Sequence, residues 1–430
     1  MTIRPLRPVA ARLRGWNSPP PARIALGFFL GCILLATLFP SRQIPPPTPV
    51  LCLVCGDAGL SDVLANIILF FPFGAALAAL GSRARRALLF GVTLSFSVEL
   101  AQHVIPGRDP SLSDVVFNTL GAGLGARAWR WVPLLLRPTP ALASRLARAA
   151  ALAAAAVLGF TTYALAPAFP DSVYYAQWTP DLGHLTLYEG RVLDARIGSL
   201  PLPPPRLADS PRVARLLRSG TRLHVRAVAG PRPPALASIF SIYDEQQREV
   251  ILVGADREDL VVRVRTRAQA LRLDHPDLRL AGALARIPAG GELAITVRRQ
   301  PGRDGYCVEL NGVASCGVRH PLGIGWALLF FSERFPEPLK QLLTVAWVAA
   351  LVCPAAFWAR SGRDIGLAAG IIAAAFLGAP AASVLVGLSA PDLAGAAAGL
   401  LAAAALRRAF PPLAPQVSGA PSAPDRLSSP

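Results

Sequence analysis

Apolar runs of about 17–22 residues recur along this chain, each long enough to cross a hydrocarbon core of roughly 30 Å. They lie at 24–40, 60–81, 87–105, 114–135, 149–168, 341–359, 364–387 and 392–407. Composition agrees: a soluble chain carries about a quarter charged residues, whereas here 16% are charged and 53% hydrophobic. The expected fold is a polytopic α-helical membrane protein of about eight transmembrane helices. The stretch 322–332 (LGIGWALLFFS) is too short to span and is expected to lie in the interface or re-enter.

A net charge of +17 would suit nucleic acid, but its distribution argues otherwise. Arg4, Arg7, Arg12 and Arg14 precede the first run, and Arg83, Arg85 and Arg86 follow the second. Arg137, Arg145 and Arg148 follow the fourth, Arg360 and Arg363 the sixth, and Arg407 and Arg408 the eighth. These loops alternate, and short loops rich in Lys and Arg stay cytoplasmic. The basic balance is thus a topology signal. No nucleic-acid partner is expected; both termini should be cytoplasmic and 169–340 outside, in a bacterial cytoplasmic membrane. The first run ends in Leu38, Phe39 and Pro40 without a small-residue cleavage pattern, so an uncleaved anchor is expected.

The expected domains are a basic N-terminus at 1–23, a five-helix membrane block at 24–168 and an external all-β domain at 169–340. Membrane helices follow at 341–410, then a disordered Pro/Ser/Ala-rich tail at 411–430. Short runs at 221–229, 236–243, 249–254, 260–266 and 292–298 partly alternate apolar and polar residues, separated by turn signals as in a sandwich. Within Gly305–Gly317, Asn311-Gly312 marks a two-residue hairpin turn in which both positions take positive φ. Pairing outward from that turn sets Cys307 opposite Cys316 where Cα atoms are closest, which accepts a disulfide. Disulfides persist in oxidising compartments, so this is a second signal that the insertion is external. Cys52 and Cys55 form a lone C-x-x-C, read as a small disulfide or idle thiols; Cys32 and Cys353 read as buried apolar residues.

Polar residues embedded in the apolar runs mark the candidate site. A charge at mid-membrane is unfavourable by roughly 2.5–3.5 kcal/mol even on lenient scales, so such residues face a bundle interior and mark function. Asp62 and Asn66 are i, i+4 neighbours on the outer turns of the second run. Glu99, Gln102 and His103 share a face of the third, with Glu99 about 10 Å below its outer end. Asp114 and Asn118 lie on a stripe of the fourth that continues through Gly121 and Gly125, a GxxxG pair that admits a close neighbouring helix. The loop 105–113 hangs above them with Arg108 and Asp109. Glu99 with His103 suits general acid–base work; Arg108 suits an oxyanion. A structural role, interhelical hydrogen bonds with one Arg–carboxylate pair, explains the same residues. The scattered histidines make no metal triad, and no metal or cofactor is expected. Ser111–Gly121 also aligns without gaps on Ser389–Gly399, a faint repeat in which Ala396 stands for Asn118.

At these residues the chain resembles the VanZ-like family of bacterial membrane proteins. The matching text is Asp62-Val-Leu-Ala-Asn66 through Pro72-Phe-Gly74, Glu99-Leu-Ala-Gln102, Pro106-Gly-Arg108, and Asp114 through Asn118, Gly121 and Gly125. The resemblance, covering roughly 58–130, implies an envelope role and is named for low-level resistance to the glycopeptide teicoplanin; it establishes no reaction. More loosely, 238–266 resembles a laminin-G or concanavalin-A-like jelly-roll sandwich, which implies glycan binding but names no sugar or calcium site; Asp256 and Asp259 are candidates by charge alone and read first as solvated loop residues. The expected ligand is a membrane lipid or lipid-linked envelope glycan held by Asp62, Asn66, Glu99, Gln102, Arg108, Asp114 and Asn118, with a further glycan on the external domain. One alternative is an enzyme acting on polyprenyl-linked or glycolipid substrates with Glu99 and His103 catalytic; another is a transporter.

Overall fold

The computed structural model describes residues 19–40, 52–54, 56–108, 110–183, 185–300 and 305–411. Asp109, Cys55, the arginines before the first run and the tail beyond residue 411 lie outside the described residues, and with them the expectations placed there.

Eight long helices overlie the eight apolar runs: α1 Pro19–Leu38, α2 Gly59–Ala79, α3 Ala84–Gln102, α4 Leu112–Trp129, α5 Pro140–Ala164, α6 Glu337–Trp358, α7 Gly362–Ala382 and α8 Ala390–Ala409. Among the described residues, five of them (α1, α2, α5, α6 and α7) are long and apolar enough to cross a membrane. The other three are diluted by charges: Arg85, Arg86 and Glu99 in α3, Asp114 and Arg127 in α4, and Asp392, Arg407 and Arg408 in α8.

Several boundaries shift because capping sets them. Helix α5 begins at Pro140, well before the run expected from 149. Thr139 Oγ1 caps Leu142 N, and Pro140 at the first position gives up no hydrogen bond. Arg148 is therefore helical and lies 3.7 Å from Asp364 of α7. Asp364 is also bonded to Ser144 of α5 and to its own cap Ser361. Helix α4 stops at Trp129, and a one-turn helix, Val132–Leu136, completes the fourth run.

Backbone proximity holds α2 against α4. A Cβ on Gly74 would land on the Ala122 carbonyl, one on Gly121 on the Ile67 carbonyl, and one on Gly125 on the Phe71 carbonyl. Each is glycine because two helix backbones touch there, the small-residue packing that replaces the hydrophobic effect between helices in lipid.

Between α5 and α6 the chain builds two antiparallel sheets. The strands are β1 Tyr175–Trp178, β2 Arg191–Ile197, β3 Leu200–Pro201, β4 Leu223–Val228, β5 Ala237–Tyr243, β6 Glu249–Asp256, β7 Asp259–Val264, β8 Leu278–Leu280, β9 Glu292–Arg299, β10 Tyr306–Leu310 and β11 Val313–Val318. One sheet runs β1-β5-β6-β7-β8, the other β11-β10-β9-β4-β2-β3. Between them lies a core that includes Tyr174, Phe240, Ile242, Val253, Val262, Val225, Ile295 and Val308. The expected hairpin is present: Asn311 and Gly312 have φ of 49° and 84°, and Cys307 is bonded to Cys316. The register follows the expected pairs from Leu310↔Val313 to Val308↔Ser315, then shifts by a bulge so that Tyr306 faces Val318.

The segment Leu322–Leu328 is covered by protein on all sides. It is a 3-10 helix with all seven residues buried, wedged between the sandwich and α5, α6 and α8. The short strands β12 His320–Pro321 and β13 Val386–Gly387 pair in parallel beside it. The sandwich also meets α2: Ser61 Oγ donates to Leu328 O at 2.6 Å and accepts from Asp274 N at 2.7 Å.

Candidate functional site

Helices α2, α3 and α4 bring their polar residues together. Asn66 Nδ2 donates to Asp114 Oδ1 at 2.9 Å, joining α2 to α4. Asn118, a turn below Asp114, donates through Nδ2 to Ser95 Oγ of α3 at 2.9 Å, and Ser95 Oγ reaches the Asp114 carbonyl at 3.4 Å. Glu99 Oε2 accepts the main-chain N–H of Ser111 at 2.8 Å. Glu99 and Asn118 are buried, Asn66 and Asp114 half-buried, and Asp62 exposed. Asn118 Oδ1 is enclosed without a hydrogen-bond partner. Ser95 is the member that sequence reasoning missed; a lone serine in an apolar helix carries little signal, although its spacing of four from Glu99 puts it on the same face.

Three expected residues turn away from this cluster, two of them, Gln102 and Arg108, toward the end of α1. Gln102 Nε2 donates to Thr37 O at 3.0 Å. Arg108 Nε donates to Phe39 O at 3.0 Å, and its Nη2 to Ala36 O at 2.8 Å and Phe39 O at 2.7 Å. That guanidinium caps the C-terminal end of α1, where carbonyls lack intrahelical donors and a cation is favoured. His103 is exposed, and its Nδ1 lies 3.0 Å from the main-chain carbonyl of Glu99. The Glu99–His103 side-chain pair imagined for acid–base work is thus replaced by two separate main-chain contacts, because the imidazole folds back along its own helix.

A second polar cluster sits where the sandwich meets α6. Arg263 of β7 binds Asp277 through Nε at 2.5 Å and Nη2 at 3.0 Å and lies 3.5 Å from Glu249. Arg279 reaches Glu333 at 2.6 Å and Asp256 at 2.7 Å, and Lys340 of α6 lies 3.6 Å from Glu333. Burial would raise Asp277, but the Arg263 guanidinium outweighs it and holds the carboxyl below the usual range; Glu249 is pushed up by burial. His275 and His320 are both pushed down to about 4, chiefly by burial. Within this cluster Asp256 and Asp259 are both paired with Arg279.

Membrane-length helices carrying a buried interhelical polar cluster define a multi-pass membrane protein. The region that builds the cluster is similar to a known family: residues 26–135 match the VanZ/LLP1 family model. That match runs from α1 through α4 and includes every motif position from Asp62 to Gly125. No curated protein and no solved structure matches the chain.

Proposed function

We propose that this chain is an integral protein of the bacterial cell envelope whose first four helices hold the head group of a membrane lipid or lipid-linked envelope glycan at the outer leaflet. In this reading all eight helices cross the cytoplasmic membrane, and the sandwich, a laminin-G/concanavalin-A-like domain, lies outside and holds a glycan above the site. Asn66, Asp114 and Asn118 line the pocket, Asp62 and Arg108 stand at its rim, and Glu99 and Gln102 fix the loop and α1 around it. Occupying such a component would alter susceptibility to glycopeptide antibiotics. The external placement is supported by the Cys307–Cys316 disulfide, since such bonds persist in oxidising compartments.

The observation that carries the reading is Asn118. Its amide is 1% exposed and its Oδ1 has no partner, although leaving a buried acceptor unmet is unfavourable by about 1–3 kcal/mol. The test is mass spectrometry of lipids and glycans that copurify in mild detergent with the wild type and with Asp114→Asn/Asn118→Ala. A polyprenyl or glycolipid species lost only in the variant is the expected result. Identical profiles from an equally stable variant would sink the pocket.

A further inference from the structure

The two membrane blocks are copies of one unit. In α1–α4 the most extensive contact joins the second and fourth helices, and the first helix touches the second and third. In α5–α8 the same pairs meet. Gly121 of α4 rests on the Ile67 backbone of α2; Gly399, its partner in the sequence repeat, rests on the Ala349 backbone of α6. With those contacts superposed, the internal prolines coincide: Pro72 stands five residues beyond Ile67, and Pro354 five beyond Ala349. One departure is that the third and fourth helices pack broadly in the first unit but hardly touch in the second. The sandwich is thus an insertion between the first and second helices of the second copy.

The copies share one carboxylate, Asp114 in the first and Asp392 in the second, and use it differently. Asp392 is fully buried and takes four donors: Leu322 N at 3.1 Å, Gly323 N at 2.7 Å, Ser389 N at 2.8 Å and Ser389 Oγ at 2.7 Å. A carboxylate has about four acceptor positions, so this one is saturated. Half of its capacity caps its own helix; the other half grips two consecutive main-chain amides of an arriving chain segment. In the first copy Glu99 takes over the capping bond to Ser111 N, and Asp114 faces α2 through Asn66. Asn66 and Asn118 correspond to Val348 and Ala396, so the first copy adds amide groups where the second has packed apolar ones.

We propose that the Asp114 site receives its ligand through amide N–H groups, the chemistry that Asp392 already accepts from Leu322 and Gly323, so that the head group is an amide-bearing one such as an N-acetylated sugar. This rests on the pocket reading above. The groups that face the site from α4 are acceptors, a carboxylate and the unpartnered Asn118 Oδ1, and acceptors select hydrogen-bond donors.

The full-length protein in nanodiscs is titrated with three short-chain polyprenyl diphosphates: one bearing N-acetylglucosamine, one bearing glucose, and one bare. The acetamido probe is expected to bind about tenfold more tightly than the others, as one hydrogen bond to a charged group predicts. Asp114→Asn and Asn118→Ser should each reduce that preference. Equal binding of all three probes, weakened by either variant, would overturn the amide assignment while leaving the lipid pocket standing. Binding of none would overturn both.

Discussion

Glu99 and Ser111 are joined across the turn between α3 and α4 by a carboxylate-to-amide hydrogen bond of 2.8 Å. Through it, a buried acid on one helix performs the N-terminal capping that the first turn of the next would otherwise demand of its own aspartate. Glu99 is thereby a positioning residue for Asp114. Glu99→Ala should lower thermal stability by about 1–2 kcal/mol, the range for a lost cap, and weaken retention of any copurifying lipid. Glu99→Gln, which keeps an acceptor, should restore most of both. Equal damage from Gln and Ala would point to the charge instead.

The glycine seam gives a sharper contrast. Gly125→Val forces a side chain onto the Phe71 carbonyl and should destabilise by about 1–3 kcal/mol or more, as overpacking does. Gly31→Val on α1 meets open space and should leave the melting temperature in detergent unchanged.

Asp392→Ala removes the acceptor of two buried amides, and its cost should reach several kcal/mol given about 1–3 for each unsatisfied group. Hydrogen exchange should show lost protection at Leu322 and Gly323, with α2 and α4 unaffected.

The β-sandwich should weaken in acid. His275 and His320 are held neutral with folded values near 4, below their unfolded values of about 6.5. The unfolded chain therefore binds more protons between about pH 6.5 and 4, and stability present above that window is lost as pH falls through it. The enclosed His320 can contribute on the order of 3 kcal/mol. His275, partly exposed although its Nε2 is enclosed, contributes less. Depression of Asp277 by Arg263 extends the loss to lower pH. Circular dichroism melts of His320→Phe should show a flatter pH dependence than the wild type.

Arg263→Met strands Asp277 and Glu249 in a buried setting. Breaking one side of a buried pair is unfavourable by about 3–5 kcal/mol, so this variant should be among the least stable. A companion Asp277→Leu change should recover part of the loss.

Much of the architecture was legible in the sequence. All eight helices were found from apolar run length, and the hairpin and its disulfide followed from Asn311-Gly312 and cysteine spacing. The face of α2 that carries Asn66 to Asp114, and the face of α4 that carries Asn118 to α3, were readable from helical spacing. Partners were not. That Arg108 caps α1, that Ser95 bridges Asn118 to Asp114, and that His103 turns to a main-chain carbonyl depend on where loops return, which no periodicity encodes. Helix ends also moved, because caps such as Thr139 outrank hydropathy in setting them. The 322–332 stretch was the hardest: an apolar segment buried by protein reads like one buried by lipid.

The sandwich enters and leaves the helical blocks through α5 and α6, and its exit segment is seated on Asp392 while Leu328 and Asp274 engage Ser61 of α2. Joined to α5 and α6 by the chain and to α2 and α8 by hydrogen bonds, it is held at four helices. Its heading is set by the bundle, so the two parts turn as one body: the β-rich domain is braced like a bracket rather than hung like a pendant.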